Sequence, residues 1–219
     1  MGFFDFLTGE QPPLVKQAIN GVQVMLDSGR DMFAAGAAHL LDNEILDVDL
    51  QALDGIINEQ EQALRRAVLE HLTVDPKHEL VLSLKLISIV QEAERIGDLA
   101  KTLSETARLA HKTRLGPPVE PLRHNRDRIL QMFDQTRYGF VEGDAATARQ
   151  LMADQRAIKA DLLAYLHHLA DNRDLTPNEG IVYALGARAM SRVSSHLANI
   201  ASTVACPFDQ IRRGKVEDF

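Results

Sequence analysis

The chain has 219 residues, 45% hydrophobic and 25% charged, with 24 Lys and Arg against 31 Asp and Glu for a formal charge of −7. At roughly 150 residues per domain this is one large domain or two small ones with apolar content enough for a core, which excludes wholesale disorder. The acidic balance excludes a protein whose main task is neutralising phosphate backbones, and a lone Cys206 excludes an intramolecular disulfide or a cysteine-based zinc site.

The opening MGFFDFLTGEQPP has no basic segment, no long apolar run and no small-residue cleavage site, so it does not read as a secretory signal. Its Phe3, Phe4, Phe6 and Leu7 read as a cluster that folds back on its own domain, with contact to a partner or a membrane as the alternative. The most apolar stretch, Leu80 to Val90, contains Lys85 and is about half the length that spans a bilayer. A cytoplasmic protein that meets membranes only through a partner is the expectation.

Prolines punctuate the chain. Pro12 and Pro13 precede the first periodic segment, Pro76 separates the next two, Pro117, Pro118 and Pro121 mark the middle, Pro177 opens the last segment and Pro207 closes it. Asp75-Pro76 reads as an N-cap with proline at the first helical position, and Thr176-Pro177-Asn178-Glu179 as a capping box. Gly143-Asp144 reads as a helix stop followed by a new cap, and Asp42-Asn43 with Asp47 and Asp49 as a similar hinge. Six helices are predicted, at approximately 13–41, 49–72, 76–113, 119–142, 144–171 and 177–204, with no sustained period-two alternation for strands. Short connections make neighbours antiparallel. The division is a tail (1–12), a first three-helix repeat (13–115), a second (116–204) and a C-terminal tail (205–219).

An internal echo supports the division. Shifted by about a hundred residues, Asp54…Glu61 with Leu69 lies against Asp154…Asp161 with Leu169, and Arg95, Ile96 and Leu103 against Arg192, Val193 and Ile200. On the third helix Leu82, Leu86, Ile89, Ala93, Ile96, Ala100 and Leu103 make an apolar seam. The opposite face turns acidic at Glu94 and Asp98, an i, i+4 pair of like charges. On the second helix Asp54, Asn58 and Glu61 form a stripe a quarter turn from the seam Leu53, Ile57, Leu64 and Val68. If the two helices adjoin, these stripes converge into oxygen ligands for a cation such as Fe, Mn, Mg or Ca. Spacing by itself favours the plainer reading of two solvated faces.

Glu94-Arg95-Ile96-Gly97-Asp98, followed by Leu99-Ala100, resembles the E-R-I-G-D-x-A signature of the PhoU family of phosphate-signalling proteins. Asp54 and Asn58 match the family's other half-motif, while Arg192, Val193, His196, Asn199 and Ile200 stand in the signature's places in the second repeat. The resemblance implies an all-α fold of two antiparallel three-helix bundles related by a pseudo-twofold. It also implies multinuclear iron or zinc clusters on the outside of each bundle. Carried over by position, the first-repeat metal ligands are Asp54, Asn58, Glu94 and Asp98. In the second repeat Ser191, Ser195 and Ile158 replace the family's ligands, so that site is expected to be lost or weak. Asp154 is then its remaining candidate ligand, with Asp161 and His196 as residual ones; His196 reads better as a hydrogen-bonded packing residue.

The resemblance further implies a non-enzymatic adaptor that couples phosphate uptake to signalling through a phosphate transporter or a sensor histidine kinase, with no nucleic-acid partner and a homodimer left open. The sequence contains no GxxxxGK(S/T), GxGxxG or nucleophile elbow. The alternatives are a carboxylate-bridged metalloenzyme in a helical bundle and a metal-free scaffold. The first is disfavoured because no glutamate has a histidine three residues on and the acidic stripes avoid the seams.

Overall fold

The computed structural model describes residues 13–74 and 80–212. The Phe-rich start, the Asp75-Pro76 cap and the chain beyond Arg212 lie outside the described residues. Six helices run in order: α1 (Pro13–Leu41), α2 (Leu50–Val74), α3 (Leu80–Arg108), α4 (Glu120–Glu142), α5 (Ala145–Asp171) and α6 (Pro177–Ala205). A single 3-10 turn, Phe208–Gln210, comes after α6. There is no strand among the described residues, and no helix among them is long and apolar enough to cross a membrane.

The caps explain most boundaries. The Thr176 hydroxyl accepts from the Glu179 N–H while the Glu179 carboxylate accepts from the Thr176 N–H, which satisfies two orphan donors at the start of α6. Asp144 accepts from the N–H groups of Ala146 and Thr147, and the preceding Gly143 ends α4 in the left-handed region at φ 65°. Asp49 accepts from the Gln51 and Ala52 N–H groups and starts α2.

The third helix ends at Arg108 rather than at 113, and distant residues are the reason. The N–H groups of Leu109 and Ala110 tighten onto carbonyls three residues back. Asn178 of α6 then donates to the Leu109 carbonyl and accepts from the His111 N–H. Farther on, the Arg114 guanidinium donates to the carbonyls of Leu40 at 2.7 Å and His39 at 2.6 Å. It thereby satisfies acceptors that the end of α1 leaves open.

Within the first bundle α1, α2 and α3 all pack on one another; within the second, α4, α5 and α6 do the same. The bundles meet where α1 crosses α4 and α3 lies along α6. A twofold that exchanges the bundles maps each of these two contacts onto itself, so the architecture is the pseudo-symmetric pair of three-helix bundles. At the α1–α4 crossing the rings of Phe33 and Phe133 lie 5.7 Å apart and tilted. Gly36 sets the α1–α3 approach: a Cβ there would stand 2.7 Å from the Ala100 carbonyl oxygen.

Being central, α3 is buried on two sides. Its seam faces α1 and α2, while Lys85, Glu92 and Ala107 are also buried. The Lys85 ammonium, from the first bundle, donates to the carbonyls of Thr203 at 2.6 Å and Cys206 at 3.2 Å. It so closes the C-terminal end of α6, where the helix dipole favours a cation.

Burial repeats between the halves. Leu86, Val90, Ala93, Ile96, Ala100 and Leu103 of α3 are buried, as are Tyr183, Ala187, Met190, Val193, Leu197 and Ile200 at positions 97 further on. For α2 and α5 the matching offset is 101: Ile57, Leu64 and Val68 are buried, as are Ile158, Tyr165 and Leu169.

Candidate functional site

The acidic stripes of α2 and α3 do meet. Gly97 permits the approach, since a Cβ there would lie 3.1 Å from Ile57 Cδ1 and 3.7 Å from Asp54 Oδ1. Asp54 and Asp98 both accept from the Lys101 ammonium, at 2.7 and 3.1 Å. Asn58 donates its amide to Asp54 at 3.3 Å. Arg95 stands 3.5 Å from carboxylate oxygens of both Glu94 and Asp98, and Arg65 pairs with Glu61 at 2.7 Å.

These neighbours tune the charges. Partial burial, then the adjacent Asp98 carboxylate, push the Glu94 pKa upward against the pull of Arg95; a hydrogen bond with Asp98 and the charge of Glu61 add to the rise. Burial would lower the Lys101 pKa, but its bonds to Asp54 and Asp98 outweigh that and raise it. The groove therefore holds its own fixed cation, and sequence reading missed it. The Asp98–Lys101 spacing of three residues was the available signal, because it puts both side chains on one face.

An iron or zinc cluster is what the family resemblance implies here, and the residues as arranged do not fit one. Lys101 is paired with both Asp54 and Asp98, Asn58 is engaged with Asp54, and Arg95 lies beside Glu94 and Asp98. Among the described residues no three or more His, Cys, Asp or Glu side chains are grouped to hold a metal ion. Elemental analysis of the purified protein is expected to give equal iron and zinc contents for wild type and Glu94→Ala/Asp98→Ala. Metal lost specifically from the variant would reopen the groove as a ligand set.

In the second half the burial register corrects the sequence alignment by one residue. Gln155, not Asp154, stands where Asp54 does in the first half. Gln155 donates to the Ser195 hydroxyl at 3.1 Å, just as Asp54 is tied through Lys101 to Asp98, the counterpart of Ser195. Asp154 accepts from Gln150 at 3.0 Å, one turn back on its own helix, and Asp161 pairs with Arg128 of α4 at 2.5 Å. Neither joins Ser191 and Ser195; the Ser195 hydroxyl donates to the Ser191 carbonyl at 2.9 Å.

His196 belongs to a buried polar cluster between the bundles. Its Nδ1 bonds the Glu92 carboxylate at 2.7 Å, Asn199 donates to the same oxygen at 2.8 Å, and Arg212 reaches the other oxygen at 2.5 Å. Burial alone would raise the Glu92 pKa; the bonds from His196 and Asn199, with the charge of Arg212, hold it below the usual glutamate range. Sequence reading missed Glu92, because periodicity marks one seam on α3 and gives no sign that α6 covers a second side.

No protein-family model and no curated protein matches the sequence. Solved structures do match. PhoU from Pseudomonas aeruginosa superposes with a TM-score of 0.80 at 19% identity, over 92% of this chain and 98% of that one. The phosphate transport system regulatory protein PhoU from Streptococcus pneumoniae superposes with a TM-score of 0.70 at 16% identity, over 94% of this chain and 96% of that one. Two helical bundles, six helices in the same arrangement and coverage of both chains almost end to end establish that this protein has the PhoU-like fold.

Proposed function

We propose that the protein is a non-enzymatic regulator of phosphate uptake and phosphate-responsive signalling that works as an adaptor, through contacts with a phosphate transporter, a sensor kinase or both. The observation that carries the reading is the superposition along nearly the whole chain on a protein described as a phosphate transport system regulator. Within the signature-like Glu94-Arg95-Ile96-Gly97-Asp98, Gly97 and Asp98 face the α2–α3 groove.

The chemistry of that groove suits docking. Its carboxylates are held in place by Lys101, Arg95 and Arg65, so they present fixed rather than mobile charge to a basic surface. Preorganised charge speeds encounter and selects partners more than it adds affinity. The adaptor reading includes no metal cluster, because Asp54 and Asp98 are already paired with Lys101.

Deleting the gene in the source organism is expected to raise a phosphate-responsive reporter several-fold under phosphate-replete growth and to change phosphate uptake. Unchanged reporter output together with unchanged uptake would sink the adaptor reading.

A further inference from the structure

We propose that the groove between α5 and α6 is a binding site for a small phosphoryl oxyanion, the charge-inverted counterpart of the acidic groove between α2 and α3. It goes beyond the regulatory reading and does not depend on it.

The two grooves occupy equivalent places in the repeat. With the registers fixed by burial, Glu94, Asp98 and Glu105 of α3 correspond to Ser191, Ser195 and Ser202 of α6. Asp54 and Asn58 of α2 correspond to Gln155 and Lys159 of α5, and Gly55 to Arg156. Each of these first-groove carboxylates becomes a neutral hydroxyl or amide; Arg156 and Lys159 are added, while Lys101 becomes Ala198. Convergent patterning of amphipathic helices would not exchange charge at one face alone.

The outcome is a cavity of about 270 Å³ lined by Gln155, Arg156, Lys159, Ser195, Asn199 and Arg212 among others, with no carboxylate in the lining among the described residues. Lys159 is exposed and makes no ion pair among the described residues. Arg212 reaches into the same cavity while one of its nitrogens bonds Glu92 beneath the floor, which fixes the guanidinium in place. Ser195 and Ser202 already donate to the Ser191 and Asn199 carbonyls, so they form an uncharged floor and leave the anion to the cations.

Chemistry and size then select the ligand. Charge-assisted bonds from guanidinium and ammonium groups are the strong ones, and planar guanidinium matches tetrahedral phosphoryl oxygens. Ligand pockets commonly run from about 300 to 1,000 Å³, so this cavity falls just below that range and suits phosphate or a phosphomonoester group better than a whole nucleotide.

Titration calorimetry of the full chain with inorganic phosphate, at constant ionic strength against chloride, tests the site. Saturable one-to-one binding is expected, weakened at least tenfold in Arg156→Gln/Lys159→Gln and retained in Lys159→Arg. Amide shifts at Ser195 and Asn199 on phosphate addition give a second readout in any variant whose helix content is intact. A small phosphomonoester that displaces phosphate would support the site as a metabolite's; phosphate binding with no such displacement would support it as one for the free anion. Absence of saturable binding, or equal binding by the double glutamine variant, overturns the proposal.

Discussion

Glu92→Ala is expected to destabilise the protein by about 3–5 kcal/mol, the cost of breaking a buried ion pair from one side. For a chain of this size that lowers the melting temperature by about 10 °C. The carboxylate is 7% exposed and holds His196, Asn199 and Arg212 together. Alanine leaves the imidazole and the amide without their acceptor at the contact between the bundles. Replacing Glu92, His196 and Asn199 together by leucine should recover much of the loss, since an apolar set of similar volume leaves only the part-exposed Arg212 to turn to solvent.

The same residue predicts a pH dependence with a definite sign. Its pKa is lower in the folded protein than in the unfolded chain, where a glutamate titrates near about 4.3. The native state therefore gains from Glu92 fully above that value and loses the gain as pH falls through the folded pKa. Urea unfolding should show the gap between wild type and Glu92→Ala at pH 7 shrinking in acid below pH of about 4. A gap that stays constant across that range would show that packing, not charge, sets the effect.

Gly36→Val is the second large effect expected, a loss of about 3 kcal/mol or more from overpacking. A Cβ at Gly36 stands 2.7 Å from the Ala100 carbonyl oxygen, and that oxygen belongs to the backbone of α3. It cannot rotate aside as a side chain can, so α1 and α3 have to separate along a seam that includes Met32, Phe33 and Leu103. Gly186 offers the contrast: a Cβ there meets Leu40 Cδ2 at 2.8 Å, the far end of a flexible side chain. Alanine at 186 should therefore cost less than alanine at 36. In α2, Gly55 has nothing within 4 Å, and Gly55→Ala should gain up to about 1 kcal/mol from helix propensity. Denaturant midpoints that rank the three alanine variants otherwise would show that close helix approach is not what Gly36 provides.

Most helix boundaries were legible in the sequence because local chemistry sets them. Thr176 with Glu179, Gly143 and Asp144 act on neighbours within a few residues, and a linear reading finds such signals. The end of α3 was not legible, because Asn178 and Arg114 set it through bonds to distant elements. The candidate groove divides in the same way. A period of 3.6 residues put Asp54 and Asp98 on stripes that converge only if α2 and α3 adjoin, and it gave no sign that Lys101 pairs with both. In the second half, identity at Asp154 pointed to one register, whereas burial of Ile158, Tyr165 and Leu169 fixes another. A matching letter carries less information than a matching environment.

Lys85 reaches from the first bundle to the end of the last helix, and Glu92 reaches from the same helix to His196 and Asn199. Both charges find partners across the junction. Severed from the other, the N-terminal half would lack the acceptors that Thr203 and Cys206 give Lys85 and the donors that His196 and Asn199 give Glu92. The two halves are thus joined by polar bonds as well as by apolar contact, a linkage that favours their unfolding together.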